Sequence, residues 1–480
     1  MAETLGVSEK VTVFRQEGDL TYRIPALLYL SSESTFLAFA EERSLPLDQY
    51  TKFLVMRRGQ KEGLSVKWGP LETLETAILP KYRTMNPCPV YDAKEGTIFL
   101  FFICVLDHIT NGQQIWNSKN AARLGYIFSK DGGRAWSPMT DLTEEVIGDD
   151  VSNWATFAVG PGHGLQLSSG RLVVPAYAYY IHTRVFGHPL ACGTKPHSFA
   201  FYSDNGGKTW LKGHLLPKPL HTSECQMAEL VDRNNSPVLY CNARSDSPYR
   251  IELFSKDGGC LFEAPIPSRK LQETHRGCQG SVVSFPSPHR GPKSSLASSK
   301  TPELWLIFSH PANKMKRVDL GIYLNPHPLE GNSWKTPWIL NTGPSGYSDL
   351  AVCTGEDPLV FGCLFECGVL LPNEEIAFQL FSGAKIWNSK NAARLGYIFS
   401  KDGGRTWSPM TDLTEEVIGD DVSNWATFAV GPGHGLQLSS GRLVVPAYAY
   451  YIHTRVFGHP LVCGTKPHSF AFYSDNGGKT

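Results

Sequence analysis

The sequence predicts an all-β chain built as a β-propeller, and three observations carry that reading. Short apolar runs such as residues 171–175 (RLVVP) and 304–308 (LWLIF) recur between turns rich in Gly, Pro, Asn and Ser, while helix-period stretches are scarce. A turn motif, Ser-x-Asp-Gly-Gly followed by an aromatic, stands at residues 129–136 and 255–262, with a variant at 203–210 in which Asn205 replaces the aspartate. Ser203 and Ser255 are 52 positions apart, a length that suits one sheet of about four short strands. A motif returning once per small sheet fits a propeller better than a sandwich.

Each turn motif reads as a hairpin. The Asp or Asn hydrogen-bonds backbone within the turn, the glycines permit positive φ, and the aromatic anchors the strand that follows. The longest apolar run, Ile98 to Leu106, is far short of the about 20 residues of a membrane-spanning helix and reads as a buried strand. Residues 286–301, rich in Pro, Ser, Lys and Arg, read as a surface loop. The strand around residues 376–381 is expected to close the ring.

Beyond it lies a copy. Residues 115–209 recur as 386–480, with Ala135 replaced by Thr406 and Ala191 by Val462, so 93 of 95 positions are identical. The expected organisation is therefore a main domain at 1–383 and a near-identical duplicate of part of it at 384–480. The first copy is expected to hold its place, because displacing it would expel a long loop and add closure entropy.

Composition bounds the function. The chain has 480 residues, of which 41% are hydrophobic, enough for a large core or two smaller ones, and this excludes a disordered or fibrous protein. Forty-five basic residues balance 45 acidic ones, so no general field draws the chain to nucleic acid or anionic lipid, and any anion recognition is local. The segment Met1-Ala2-Glu3-Thr4 carries neither a signal-peptide pattern nor a myristoylation glycine. Eleven scattered cysteines without paired metal-ligand spacing point to reduced thiols of a cytosolic type.

An ordered set of motifs then becomes recognisable: Tyr22-Arg23-Ile24-Pro25, Arg83-Thr84-Met85-Asn86-Pro87, Gly277-Cys278-Gln279-Gly280, Arg317-Val318-Asp319 and Gly346-Tyr347-Ser348-Asp349, interleaved with the turn motifs. Over about residues 10–383 the chain resembles the exo-α-sialidases, and among them the vertebrate membrane-associated sialidases that act on gangliosides. The resemblance implies a six-bladed β-propeller and retaining hydrolysis of terminal sialic acids from glycolipids, glycoproteins or oligosaccharides. It implies no metal and no organic cofactor. It also implies a peripheral contact with the plasma or endosomal membrane in an otherwise cytoplasmic protein, and leaves the oligomeric state open.

The residue types fit that chemistry. Sialic acid carries a carboxylate on its anomeric carbon, and arginine's planar fork binds a carboxylate bidentately while staying charged. By resemblance this role falls to Arg23, Arg244 and Arg317. A carboxylate nucleophile about 3 Å from the sugar carboxylate would be repelled by several kcal/mol in a pocket of low dielectric, so a neutral nucleophile is favoured. Sialidases with a tyrosine nucleophile are a recognised exception to the two-carboxylate scheme. The nucleophile is then Tyr347, with an ordinary pKa of about 10, and Glu224 the base that takes its proton. Asp48, on the loop Ser44-Leu45-Pro46-Leu47-Asp48, is the acid/base.

Further matches assign substrate contacts to Arg43, Met85, Asn86, Tyr177, Tyr179 and Gln279, and make Glu366 the counter-charge of Arg23. Asn111 departs from the pattern, because close relatives carry a glutamate there. Taken alone, each arginine would read as a surface salt-bridge partner, and Tyr347 as a strand cap; together they do not. The rival reading is a silent sialoside-binding propeller of lectin type, which could dispense with Asp48, Glu224 and Tyr347. A protein scaffold would need no convergent arginines.

Overall fold

The computed structural model describes residues 6–185, 188–189, 193–215, 220–287, 303–355, 359–383, 393, 395–419, 425–431, 433–452, 455–456, 459–460 and 465–475. The chain divides into two compact units, Met1–Ile386 and Trp387–Thr480. The loop expected at 286–301 falls almost wholly outside the described residues.

The first unit is a succession of antiparallel sheets in chain order. The first joins Thr21–Leu30, Thr35–Arg43, Thr51–Glu62 and Ser65–Trp68. The second joins Tyr82–Asp92, Thr97–Leu106, Ala122–Ser129 and Thr140–Asp141. The third is built on Trp154–Val159, Leu172–Ile181, Thr194–Ser203 and Leu211–Lys212, and the fourth on Thr222–Val231, Pro237–Ser245, Tyr249–Ser255 and Ile266–Gln272.

A seven-stranded sheet follows, in the order Val11–Arg15, Glu375–Ser382, Val360–Cys367, Trp338–Cys353, Val318–Asn325, Leu304–Pro311 and Ser281–Pro286. Its long strand serves two partners. Residues 338–344 pair with Val318–Asn325, and residues 345–353 pair with Val360–Cys367. The strand near the start of the chain, Val11–Arg15, completes the far edge by pairing with Glu375–Ser382.

Apolar layers fill the spaces between neighbouring sheets rather than one central core. Leu37, Phe39 and Met56 of the first sheet pack with Leu100 and Phe102 of the second. Phe99 and Phe101 of the second pack with Phe157, Phe199 and Trp210 of the third. Phe36 and Val55 of the first sheet also meet Phe14, Leu364 and Phe378 of the last. The run Ile98–Leu106 is the buried strand its composition predicts, with Leu106 alone exposed.

The turn motifs are hairpin connections between third and fourth strands, as expected. The Ser203 hydroxyl accepts from the Gly207 amide at 2.9 Å, as Ser129 does from Gly133 at 2.8 Å and Ser255 from Gly259 at 2.9 Å. Gly207 has φ of +78°, and a Cβ there would stand 2.2 Å from the Phe99 ring, so glycine is required on two counts. Trp210 then packs edge-on against Phe101 with centroids 4.6 Å apart.

The second unit repeats the strands of its template. Trp425–Val430, Leu443–Ile452 and Thr465–Ser474 pair in the register of Trp154–Val159, Leu172–Ile181 and Thr194–Ser203. Burial differs. Val174 is 0% exposed in the first unit, whereas its counterpart Val445 is 39% exposed. In the first unit Val174 lies in the apolar layer that holds Phe99 and Phe101 of the second sheet.

Candidate active site

Four site residues or their neighbours sit where a strand breaks its ladder. Register shifts occur between Arg23 and Ala26, between Met85 and Cys88, between Thr222 and Cys225, and between Ser345 and Ser348. These bulges enclose Ile24, Asn86, Glu224 and Tyr347. A bulge re-aims side chains that a regular pleat would send to alternate faces. Pro25 and Pro87 lie within two of them, where a missing amide costs no ladder bond. Ile24 has φ of 61° and Asn86 φ of 58°, a costly conformation above all for a β-branched residue. The Ile24 amide donates to Glu366 Oε1 at 3.0 Å and the Asn86 amide to Glu41 Oε1 at 2.7 Å, which helps hold the strain.

Three of these bulges, at Ile24, Glu224 and Tyr347, bring residues together around one ring. The Tyr347 hydroxyl lies 2.5 Å from Glu224 Oε1 and 3.2 Å from Arg244 Nη1. Arg244 Nη1 also donates to Glu224 Oε2 at 2.8 Å. The guanidinium carbons of Arg23 and Arg317 stand 5.2 and 5.3 Å from the Tyr347 ring centroid, within cation–π range. Three guanidiniums from three distant sequence segments thus converge on one phenol. Arg317 is steadied by the Gly277 carbonyl at 2.8 Å. Gly277, at φ of +69°, admits Arg244, since a Cβ there would lie 2.6 Å from Arg244 Nε.

Electrostatics follow from burial and neighbours. Burial, and then the Glu224 charge, push the Tyr347 phenol well above its ordinary value, although the three arginines pull the other way. Burial alone would raise Glu366. The Arg23 charge and hydrogen bonds from Arg23, Ile24 and Tyr347 overcome it and hold the carboxylate below its usual range. Arg23 meets Glu366 through two bonds, Nε to Oε1 at 3.0 Å and Nη2 to Oε2 at 3.1 Å. The counter-charge expected of Glu366 is therefore in place, and its Oε2 also accepts the Tyr347 amide at 3.0 Å.

Asp48 opens a short 3-10 turn, Asp48–Tyr50, and is half exposed, with its Oδ1 2.8 Å from Arg43 Nη1. Arg43 itself is fully buried and gives its other donors to Glu41 and the Pro46 carbonyl. As placed, it braces the loop that carries Asp48 and has no exposed edge. Gln279 departs further from the substrate contact expected of it. It is buried, its amide nitrogen donates to the Pro161 and Ser348 carbonyls at 3.2 and 2.9 Å, and its oxygen accepts the Ser348 amide at 3.0 Å. Both amide hydrogens are spent on backbone, so Gln279 braces the strand that carries Tyr347.

Tyr177 and Tyr179 lie with ring centroids 6.3 Å apart. Burial and then the Glu224 charge raise the Tyr177 phenol. Met85 is buried, and Asn86 Nδ2 donates to the Val159 carbonyl at 3.3 Å. Asn111 begins the helix Asn111–Asn117, capped by Thr110, and its side-chain oxygen accepts from Gln114 at 3.2 Å.

Two buried acids escaped the sequence reading. Glu41 stands opposite Arg23 in the strand register and links Arg43 to the Asn86 amide; its position two residues before Arg43 on a strand, hence on the same face, was the signal. Asp349 is fully buried and accepts from the Leu27 amide and the Ser281 hydroxyl, each at 2.7 Å, with His163 Nδ1 also at 2.7 Å. It ties three separate segments to the Tyr347 strand.

Comparison with known proteins accords with this geometry. The family model described as a BNR repeat-like domain matches residues 35–361 and 367–480. Sialidase-3 of Homo sapiens is 52% identical over 410 residues, covering 80% of this chain and 95% of the relative. Sialidase-4 of Mus musculus is 43% identical over 457 residues, covering 79% and 94%. Among solved structures, the Hadza microbial sialidase Hz136 superposes with a TM-score of 0.59 at 22% identity, covering 76% of this chain and 66% of that one. Trypanosoma rangeli sialidase gives 0.55 at 15% identity, covering 92% and 74%. At such identities the structural likeness speaks to fold.

Proposed function

Because the chain belongs to the sialidase family and is an exo-α-sialidase, we propose that the cluster around Tyr347 removes terminal sialic acids from glycolipids, gangliosides among them, with retention of configuration. Glycoproteins and free oligosaccharides are further substrates of the same pocket. The observation that carries this reading is the Tyr347 hydroxyl held 2.5 Å from Glu224 amid three guanidiniums.

Arg23, Arg244 and Arg317 hold the sugar carboxylate. Tyr347 Oη attacks the anomeric carbon as Glu224 takes the phenolic proton. The bond to the aglycone oxygen breaks, and Asp48 supplies the proton that oxygen needs to leave. In the second half Asp48 takes a proton from water as the water attacks the anomeric carbon, and the tyrosyl oxygen leaves with the proton returned by Glu224. Net inversion occurs twice, so configuration is kept. Arg43 and Glu41 fix the acid loop, Met85, Asn86, Tyr177 and Tyr179 line the sugar's remaining faces, and Glu366 and Gln279 set Arg23 and the Tyr347 strand. No step calls for a metal or an organic cofactor.

Six blades are the reading that fits the sheets. The bend in Trp338–Cys353 divides the seven-stranded sheet into two four-stranded blades, the second completed by Val11–Arg15. Apolar layers that link successive sheets and return from the last to the first support a closed ring. Residues 1–383 then form the catalytic domain, and 384–480 add none of the arginines, acids or the nucleophile. A peripheral contact with the plasma or endosomal membrane fits a glycolipid substrate; no helix among the described residues is long and apolar enough to cross one.

Purified full-length protein assayed on an aryl α-sialoside and on ganglioside micelles tests the reading. Release of sialic acid as the α-anomer from both supports it. Binding without release would favour the lectin-like alternative.

A further inference from the structure

The connection after Cys367 is an apolar tip braced from within. The amides of Val369, Leu370 and Leu371 donate to the Glu374 carboxylate at 2.8, 2.9 and 2.7 Å. The backbone is thus wound around one acid while its side chains project outward. Val369 is 84% and Leu370 83% exposed, and Leu371 is exposed beside them. Single exposed apolar residues are ordinary on a protein surface. Three in succession on a fixed turn are not, since such a run invites association unless it serves a function.

Two further tips share its setting. The loop that carries Asp48 exposes Leu45, Leu47 and Tyr50. The loop before Arg317 exposes Met315 between Lys314 and Lys316, themselves exposed. Chain continuity places all three at the pocket. Leu47 adjoins Asp48, Met315 is two residues from Arg317, and Val369 is three from Glu366. At about 3.3–3.6 Å per residue, these three stand within roughly 11 Å along the chain of a residue of the site, and Leu371 within roughly 18 Å.

We infer that these three tips form a bilayer-docking rim around the pocket, with Val369, Leu370, Leu371, Leu47 and Met315 entering the boundary between headgroups and acyl chains while Lys314 and Lys316 meet anionic headgroups. Separate protruding tips suit a soft planar surface, whereas a peptide would need a groove. Lysines flanking an apolar tip match an anionic lipid surface. This deepens the membrane contact proposed above and rests on the sialidase reading only for what the pocket does once docked. The rim presents the acid loop and the arginines toward the layer from which a lipid-linked sialoside projects.

The test uses the full chain and two variants, Val369→Ser/Leu370→Ser/Leu371→Ser and Lys314→Gln/Lys316→Gln, in sedimentation with phosphatidylcholine vesicles prepared with and without phosphatidylserine. The apolar triple variant is expected to lower partition onto both vesicle types by about tenfold or more. The lysine variant is expected to lower it only where phosphatidylserine is present. Each should keep its rate on a soluble aryl sialoside and lose rate on ganglioside held in vesicles. Parent-like vesicle binding by the triple variant overturns the inference. So does an equal loss on soluble and vesicle-held substrate, or a change in oligomeric state with vesicle binding intact, which would mark a surface for a second copy. Leu370→Ser alone repeats the measurement should the triple variant fail to fold. A parent inactive on every sialoside but differing from its variants in vesicle binding would overturn the enzymatic reading and leave the rim standing.

Discussion

Tyr347 and Glu224 share a hydrogen bond of 2.5 Å although 123 positions separate them in the chain. The phenol's pKa is driven upward, first by burial and then by the Glu224 charge, so the hydroxyl keeps its proton at neutral pH, and the nucleophile role proposed for it requires that proton to move to Glu224. Tyr347→Phe removes the oxygen and keeps the ring on which Arg23 and Arg317 rest. Turnover is expected to fall on the order of 10³-fold or more, while binding of free sialic acid, measured by calorimetry, stays within a few-fold of the parent. Turnover near the parent's would refute the assignment of the nucleophile.

The same upward shift has a consequence for the pH profile. Because the phenolate does not form by itself near neutrality, the rate is expected to gain nothing from alkaline conditions, and the proton-donor role proposed for Asp48 acts in the same direction. kcat/KM is expected to peak on the acid side of neutrality and decline above it. A steady rise into the alkaline range would contradict both roles.

Asp48→Asn removes the acid and leaves the tyrosine. Substrates with poor leaving groups, such as gangliosides, should lose on the order of 10²–10⁴ in rate, and activated aryl sialosides much less, since a good leaving group departs unprotonated. Equal losses on both would show that Asp48 is not the acid.

Glu366→Gln tests the support under Arg23. The pair has two bonds and a nearly inaccessible carboxylate, and breaking such a pair costs about 3–5 kcal/mol. Urea unfolding at neutral pH should show that loss, and KM should rise because Arg23 is no longer held. The folded carboxylate titrates below its unfolded value, so its contribution is complete above the unfolded pKa and disappears as the pH falls through the folded one. The gap between parent and variant should therefore narrow in acid. A constant gap would place the effect elsewhere.

Truncation after Ala384 should keep full activity and improve solubility. The second unit leaves apolar strand faces such as Val445 exposed, and partly covered strands favour aggregation. Activity on a soluble sialoside and light scattering on heating check both parts. Lost activity would assign the duplicate a structural role.

Local pattern revealed much of this molecule and distance hid the rest. The hairpin motifs are legible because Ser203, Asn205 and Gly207 bond one another within a few residues. The arginines and Tyr347 were legible through motifs, each short and self-contained. The bonds of Gln279 are hidden from the sequence because its partners, Pro161 and Ser348, are 118 and 69 positions away. Asp349 and Glu41 went unnoticed for the same reason: an acid in a strand reveals its worth only when Leu27, Ser281 or Asn86 is brought to it by the closing of the sheets.

The pairing of Val11–Arg15 with Glu375–Ser382 also sets a schedule for synthesis. Arg23 leaves the ribosome early and Glu366 follows 343 residues later, an interval of roughly 20–70 seconds at about 5–20 residues per second. Throughout it the strand that will complete the final sheet has no partner, and the guanidinium of Arg23 has no carboxylate. No nascent fragment short of residue 382 contains a finished pocket, so the nascent chain stays inert until that strand has emerged and becomes competent in one late step, when Val11–Arg15 meets Glu375–Ser382.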